Sequence, residues 1–139
     1  MALVVARKMA NERGLGKALQ MESAGTHAAS AAQRTDPRAI AALERHGYKA
    51  SRFRSTRLAP SHIANHDLIL AMDAQNLASL QKISPPEHTH KLRLLLSYAP
   101  QCGRTEVPDP YHSSAQAFDL VLQLCETAIN GLLLNYTLK

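Results

Sequence analysis

At 139 residues, with 45% hydrophobic and 19% charged residues, the sequence is sized for one domain (residues 1–139) and too apolar for a disordered chain. Aromatic residues make up only 4%, so aliphatic side chains must build the core; a nucleic-acid partner, which calls for a basic stripe interleaved with aromatics, is not expected. The net charge of +5 is spread along the chain, and its densest run, Arg45, Lys49, Arg52, Arg54 and Arg57, reads as a solvated face ahead of a phosphate-attracting one.

Two cysteines, Cys102 and Cys125, do not make a disulfide framework. The start, MALVVARKM, reaches charge too early for a signal-peptide core. No apolar run is expected to approach the ~20 residues of a membrane helix. A cytoplasmic protein without a membrane partner is expected.

The first segment, Ala2 to Arg13, places Ala2, Val5, Ala6 and Met9 at helical spacing and meets a stop at Gly14. Gln20 to Ser23 is predicted as a short strand, followed by the small-residue loop AGTHAASAAQRT. DPRAIAALERHG carries helix signals at both ends: Asp36 as N-cap, Pro37 in the first turn and Gly47 as the stop, with Ile40 and Leu43 facing inward. A second proline-led helix is predicted over Pro60 to Asn65. Asp67 to Met72 (DLILAM) is a continuous apolar run of strand length, as in a parallel strand covered on both faces, and Leu92 to Tyr98 (LRLLLSY) is predicted as another buried strand. Between them Asp73 is placed to cap a helix carrying Leu77 and Leu80. The last segment is a long amphipathic helix with Phe118, Val121, Leu122, Cys125, Ala128, Ile129, Leu132 and Leu133 on one face. Strands alternating with helices predict an α/β layered domain with a parallel sheet.

Seven histidines raise a metal site, with His62 and His66 four apart on a predicted helix and His88 and His90 flanking a threonine. Zinc needs three or four converging ligands, and no H-E-x-x-H arrangement is present, so no metal and no cofactor are expected. GLGK, Gly14 to Lys17, lacks the spacing of a phosphate loop and reads as a helix stop. More pointed is EVPDPYHSS, Glu106 to Ser114, where two prolines fix the backbone on either side of Asp109. The plain reading is a turn; the functional one is a carboxylate aimed at a substrate.

SAGTHA, DPRAIAALERHGY, DLILAMDAQNL and VPDPY follow one another in an order and spacing that resembles the low-molecular-weight protein tyrosine phosphatase family over essentially the whole chain. The resemblance implies a three-layer α/β sandwich (phosphotyrosine protein phosphatase I-like) with a four-stranded parallel sheet flanked by helices. It also implies hydrolysis of a phosphotyrosine protein or small aryl phosphate through a phosphocysteine intermediate. In that chemistry a thiolate rises from the floor of a C-x5-R loop, held low in pKa by a helix N-terminus, and the loop's amides cradle the phosphate. By match to the family's D-P-Y motif, Asp109 is the expected general acid, protonating the departing phenolate. Tyr111 and His112 are expected against the substrate ring, while Ser23 and Asp73 match positions that support the phosphate loop.

The same comparison shows a departure. The family begins with a hydrophobic strand running into C-x5-R and ending R-S-P at the first helix; here Met1 stands where that helix begins. Neither cysteine rebuilds the motif, since six residues after Cys102 is Pro108 and six after Cys125 is Gly131. The expectation is a sheet whose first strand is lost or replaced, and a chain that does not hydrolyse phosphotyrosine as it stands. Three routes fill the gap: residues 1–6 switching to a strand, a second copy pairing across it, or a longer polypeptide of which this is a shortened form. The last is favoured. The alternative function is a non-catalytic protein that binds partners through the exposed sheet edge or the basic segment Arg45 to Arg57, or self-associates as a homodimer through that edge. An arsenate reductase of related fold is a third possibility, and ILAMDAQN fits the phosphatase branch better.

Overall fold

The computed structural model describes residues 1–25, 36–49, 56–110 and 113–137. Helix α1 (Ala2–Glu12) buries Val5, Ala6 and Ala10, and the turn after it contains the Gly14–Lys17 stretch. Helix α2 (Pro37–Arg45) starts as its caps dictate: the Asp36 side chain accepts from the Arg38 N–H at 2.8 Å. Its buried face is Ala39, Ala42 and Leu43, with Ile40 only half-buried, so the inward stripe lies slightly off the predicted one. Gly47, at φ +85°, ends the turn in a left-handed conformation.

Helix α3 (Pro60–Asn65) has the predicted bounds. Strand β3 (Ile69–Ala71) runs into Asp73, which caps α4 (Ala74–Ile83) by accepting from the Asn76 N–H at 2.7 Å. Strand β3 pairs in parallel with β4 (Leu92–Leu94), in register Ile69–Leu92, Leu70–Arg93 and Ala71–Leu94. The run Leu92 to Tyr98 is therefore a strand for only its first three residues; Leu95–Tyr98 turns into a 3₁₀ helix that buries Leu95 and Leu96. Its only described ladder partner, β3, ends where the chain turns to cap α4, so the apolar residues beyond Leu94 bury themselves against α5 (Ala115–Thr137) instead.

Three layers follow from these faces. Leu70 and Met72 point to a core shared with α1, α2, α5 and the 3₁₀ turn, while Ile69 and Ala71 point to Ile63 of α3 and Leu80 of α4. Strand β3 is thus apolar on both faces because both are covered. Helix α5 is the spine, burying Phe118, Val121, Leu122, Leu124, Cys125, Ala128, Ile129 and Leu133. Leu124 joins the predicted face and Leu132 stays half-buried. At 22 residues, Ala115–Tyr136 is long and apolar enough to cross a membrane, against the expectation from the sequence; one face of it packs into the core, while Leu120, Leu134 and Tyr136 are exposed.

One expectation changes shape. Strand β1 (Ala24–Gly25) pairs in parallel with β2 (Thr56–Arg57), so the predicted strand at Gln20 to Ser23 lies a few residues further on. Among the described residues the strands form two separate two-stranded parallel sheets, β1–β2 and β3–β4, in place of one four-stranded sheet. Residues 2–6 are helical in α1, so they do not supply a joining strand.

Candidate functional site

In an α/β layered domain the helices that follow parallel strands begin near the carboxyl ends of those strands, where ligands bind. Strand β3 illustrates it: its end leads through Asp73 into α4. The chain returns to the same point 32 residues later, when Glu106 Oε2 accepts from the Ala74 N–H at 2.7 Å. Next to it the Val107 N–H donates to the Met72 carbonyl at 2.8 Å, and the Val107 side chain is buried in the main core. Two carboxylates, Asp73 and Glu106, therefore satisfy the first amides of α4.

This anchor fixes the start of the segment bearing Asp109. Pro108 is exposed, Asp109 is exposed, and Pro110 is half-buried. The prolines hold their own φ angles, and Pro110 also restricts Asp109 to extended backbone. The Pro110 carbonyl then accepts from the Ser113 N–H at 2.9 Å, and α5 begins.

Other helix ends gather around the start of α5. Met1, at the head of α1, packs against Phe118 in the first turn of α5 and Ala39 and Ala42 of α2. Helix α1 carries no side-chain cap and no acidic residue in its first turn, so its amide dipoles are not neutralised there. Burial lowers the pKa of the Met1 amino group, opposed by its interaction with Cys125. Arg38 stacks its guanidinium 4.8 Å from the Phe118 ring centroid, tying the start of α2 to that of α5.

Of the residues singled out in the sequence, Asp73 and the segment carrying Asp109 meet at the end of β3. Ser23 lies on the other sheet, exposed at the entry to β1, where its carbonyl accepts from the Thr56 hydroxyl at 3.2 Å. Asp73 is occupied as a helix cap. Tyr111, His112, Thr26, His27 and Ala28 of SAGTHA, and Arg52 and Arg54 of the basic run lie outside the described residues. Glu106, Val107 and Arg38 were not assigned a site role in the sequence. Glu106 sat within the quoted motif, but only the fold brings it to Ala74.

The cysteines differ in character. Cys102 is half-buried in a 3₁₀ turn (Pro100–Cys102), and Cys125 is buried in α5. Desolvation pushes the Cys125 thiol up to about 11, away from the thiolate that nucleophilic attack needs. Among the described residues no group of three His, Cys, Asp or Glu side chains is arranged to hold a metal. His62 and His66 serve locally: His62 Nδ1 accepts from the Ala59 N–H at 2.8 Å, and His66 Nε2 lies 3.2 Å from Glu22.

Fold and site together define an α/β domain with its candidate site at the strand ends, beside helix N-termini and flanked by the exposed carboxylates of Glu106 and Asp109. The family model for low molecular weight phosphotyrosine protein phosphatase matches residues 1–139, and the chain belongs to that family. A low molecular weight protein-tyrosine-phosphatase of Streptomyces coelicolor is 36% identical over 136 residues, covering 96% of this chain and 82% of the relative. A protein tyrosine phosphatase of Entamoeba histolytica superposes with a TM-score of 0.93 at 27% identity, covering 98% of this chain and 86% of that one. A low molecular weight phosphotyrosine phosphatase of Vibrio cholerae gives 0.90 at 33% identity, with the same coverages.

Proposed function

We propose that this polypeptide carries the general-acid half of a phosphotyrosine phosphatase site. Asp109 is the acid that protonates the departing phenolate and Tyr111 and His112 wall the aryl ring, while Ser23 and Asp73 stand at positions that brace the phosphate loop in the family, a loop these residues do not contain. The substrate class is a phosphotyrosine protein or small aryl phosphate, the compartment cytoplasmic. The observation that carries the reading is the anchoring of the Asp109 segment to the β3–α4 junction in a chain that matches the family throughout. General acid catalysis contributes about 10²- to 10⁴-fold on its own, and it assists only a reaction for which a nucleophile and a phosphate cradle exist. These 139 residues hold no C-x5-R, and Cys125 is a buried neutral thiol, so by themselves they are inactive.

Assays with p-nitrophenyl phosphate separate the parts of this reading. The 139-residue protein is expected to show no turnover above an Asp109→Ala control; turnover that drops in the control overturns the inactivity. Placing a family strand and C-x5-R-S-P loop ahead of Met1 is expected to create turnover. Asp109→Ala in that background should lower it by about 10²- to 10⁴-fold. An unchanged rate removes Asp109 as the acid.

The division of the described strands into two separate pairs favours a second reading, a non-catalytic protein that self-associates through a sheet edge unpaired among the described residues. Sedimentation decides it: a concentration-dependent dimer supports association, and a monomer at all concentrations rejects it.

A further inference from the structure

Two prolines stiffen the backbone around Asp109, but stiffness does not set direction; both ends of the segment must be held. The leading end is held by Val107 and Glu106 on the β3–α4 junction. The trailing end is held from a different element. Arg38 Nη1 donates to the Ser113 carbonyl at 3.0 Å. That carbonyl lies just before α5, where the Ala117 N–H donates to the Ser114 carbonyl in the entering turn at 3.0 Å. The N–H of the same residue closes the turn onto Pro110, the neighbour of Asp109.

Arg38 is itself preorganised. Its Nε and Nη2 meet the two oxygens of Asp36 at 3.3 and 3.0 Å, a bidentate pair that leaves Nη1 pointing outward. Asp36 is locked in turn by capping α2 through the Arg38 N–H, and the guanidinium face rests on Phe118. A lysine, with one rotating ammonium, cannot make the pair with Asp36 and the bond to Ser113 in this fixed geometry.

We infer that Arg38 is a positioning residue for Asp109: the Asp36–Arg38 pair at the head of α2 holds Ser113 and thereby fixes the turn that aims the carboxylate. This rests on the reading of Asp109 as the acid, and it adds a residue on α2 that acts on Asp109 without touching substrate.

Residue-resolved amide exchange on the 139-residue protein tests it without catalysis, so its result stands apart from the phosphatase assays. In Arg38→Met the Ser113 N–H is expected to exchange at least about tenfold faster, while the amides of Leu43 and Leu77 stay within about twofold. The residual dipolar coupling of the Asp109 N–H should shift, and Arg38→Lys should restore it only in part. An unchanged Ser113 rate overturns the inference. So does acceleration shared equally by α2, α4 and α5, because Arg38 would then support only global stability. An unmoved Asp109 coupling alongside faster Ser113 exchange also overturns it.

Discussion

At the scale of single residues, Cys125 shows how burial decides chemistry. It is 1% exposed on the inner face of α5, and desolvation raises its pKa to about 11, with the Met1 ammonium opposing and the Glu126 carboxylate reinforcing. A thiol is neutral when protonated, so a raised folded pKa contributes stability below the ordinary value of 9.0 that is lost as pH rises through about 11. Iodoacetamide at pH 8 is therefore expected to modify the half-buried Cys102 and to leave Cys125 until the protein unfolds. Mass spectrometry of timed samples reads this directly, and equal modification rates would contradict it. Tyr48 follows the same logic: its hydroxyl donates to Glu126 at 2.7 Å, and burial with that carboxylate raises its pKa.

Between elements, the closest approach of interest is α5 against the 3₁₀ turn Leu95–Tyr98. A Cβ built at Gly131 would collide with the Tyr98 carbonyl oxygen, a backbone atom that cannot swing aside. Gly→Ala inside a solvent-exposed helix stabilises by about 0.5–1 kcal/mol. Here the sign reverses, and Gly131→Ala is expected to destabilise by about 1–3 kcal/mol through overpacking. Urea denaturation measures it; a variant as stable as the parent would show that the two elements part easily. The neighbouring Asn130 accepts from Arg13, so this stretch of α5 also ties to the end of α1.

Across the whole molecule, α2 and α5 are joined by two carboxylate clusters. Asp36 holds Arg38 at one end, and at the other Asp119 accepts from Arg45 at 3.0 Å and lies 3.1 Å from His46 Nε2. Hydrogen bonding from Arg38 and from Arg45 lowers the pKa of Asp36 and Asp119 respectively. A depressed carboxylate contributes stability above its ordinary pKa of 3.8, lost as pH falls through the folded value. Denaturation across a pH series should thus show stability declining below about pH 4, with a shallower decline in Asp36→Asn/Asp119→Asn. An unaltered acid limb in the double variant would assign acid sensitivity to other groups. High salt should weaken the Asp119 cluster, which lies at the surface.

The local signals in the sequence were sufficient for what local physics controls. Asp36 and Asp73 cap the helices they precede, the proline-led helix spans Pro60 to Asn65, and α1 and α5 follow their apolar spacing, because each depends on groups a few residues apart. The four ordered motifs likewise carried the family. What tertiary structure alone decided depends on distant partners. Leu92–Tyr98 divides into strand and 3₁₀ turn because β3 is short and α5 offers burial. The described strands form two pairs because ladder partners are supplied in space, not in sequence. Glu106 reaches Ala74, and Arg38 reaches Ser113, across chain separations of 32 and 75 residues that no spacing rule can span.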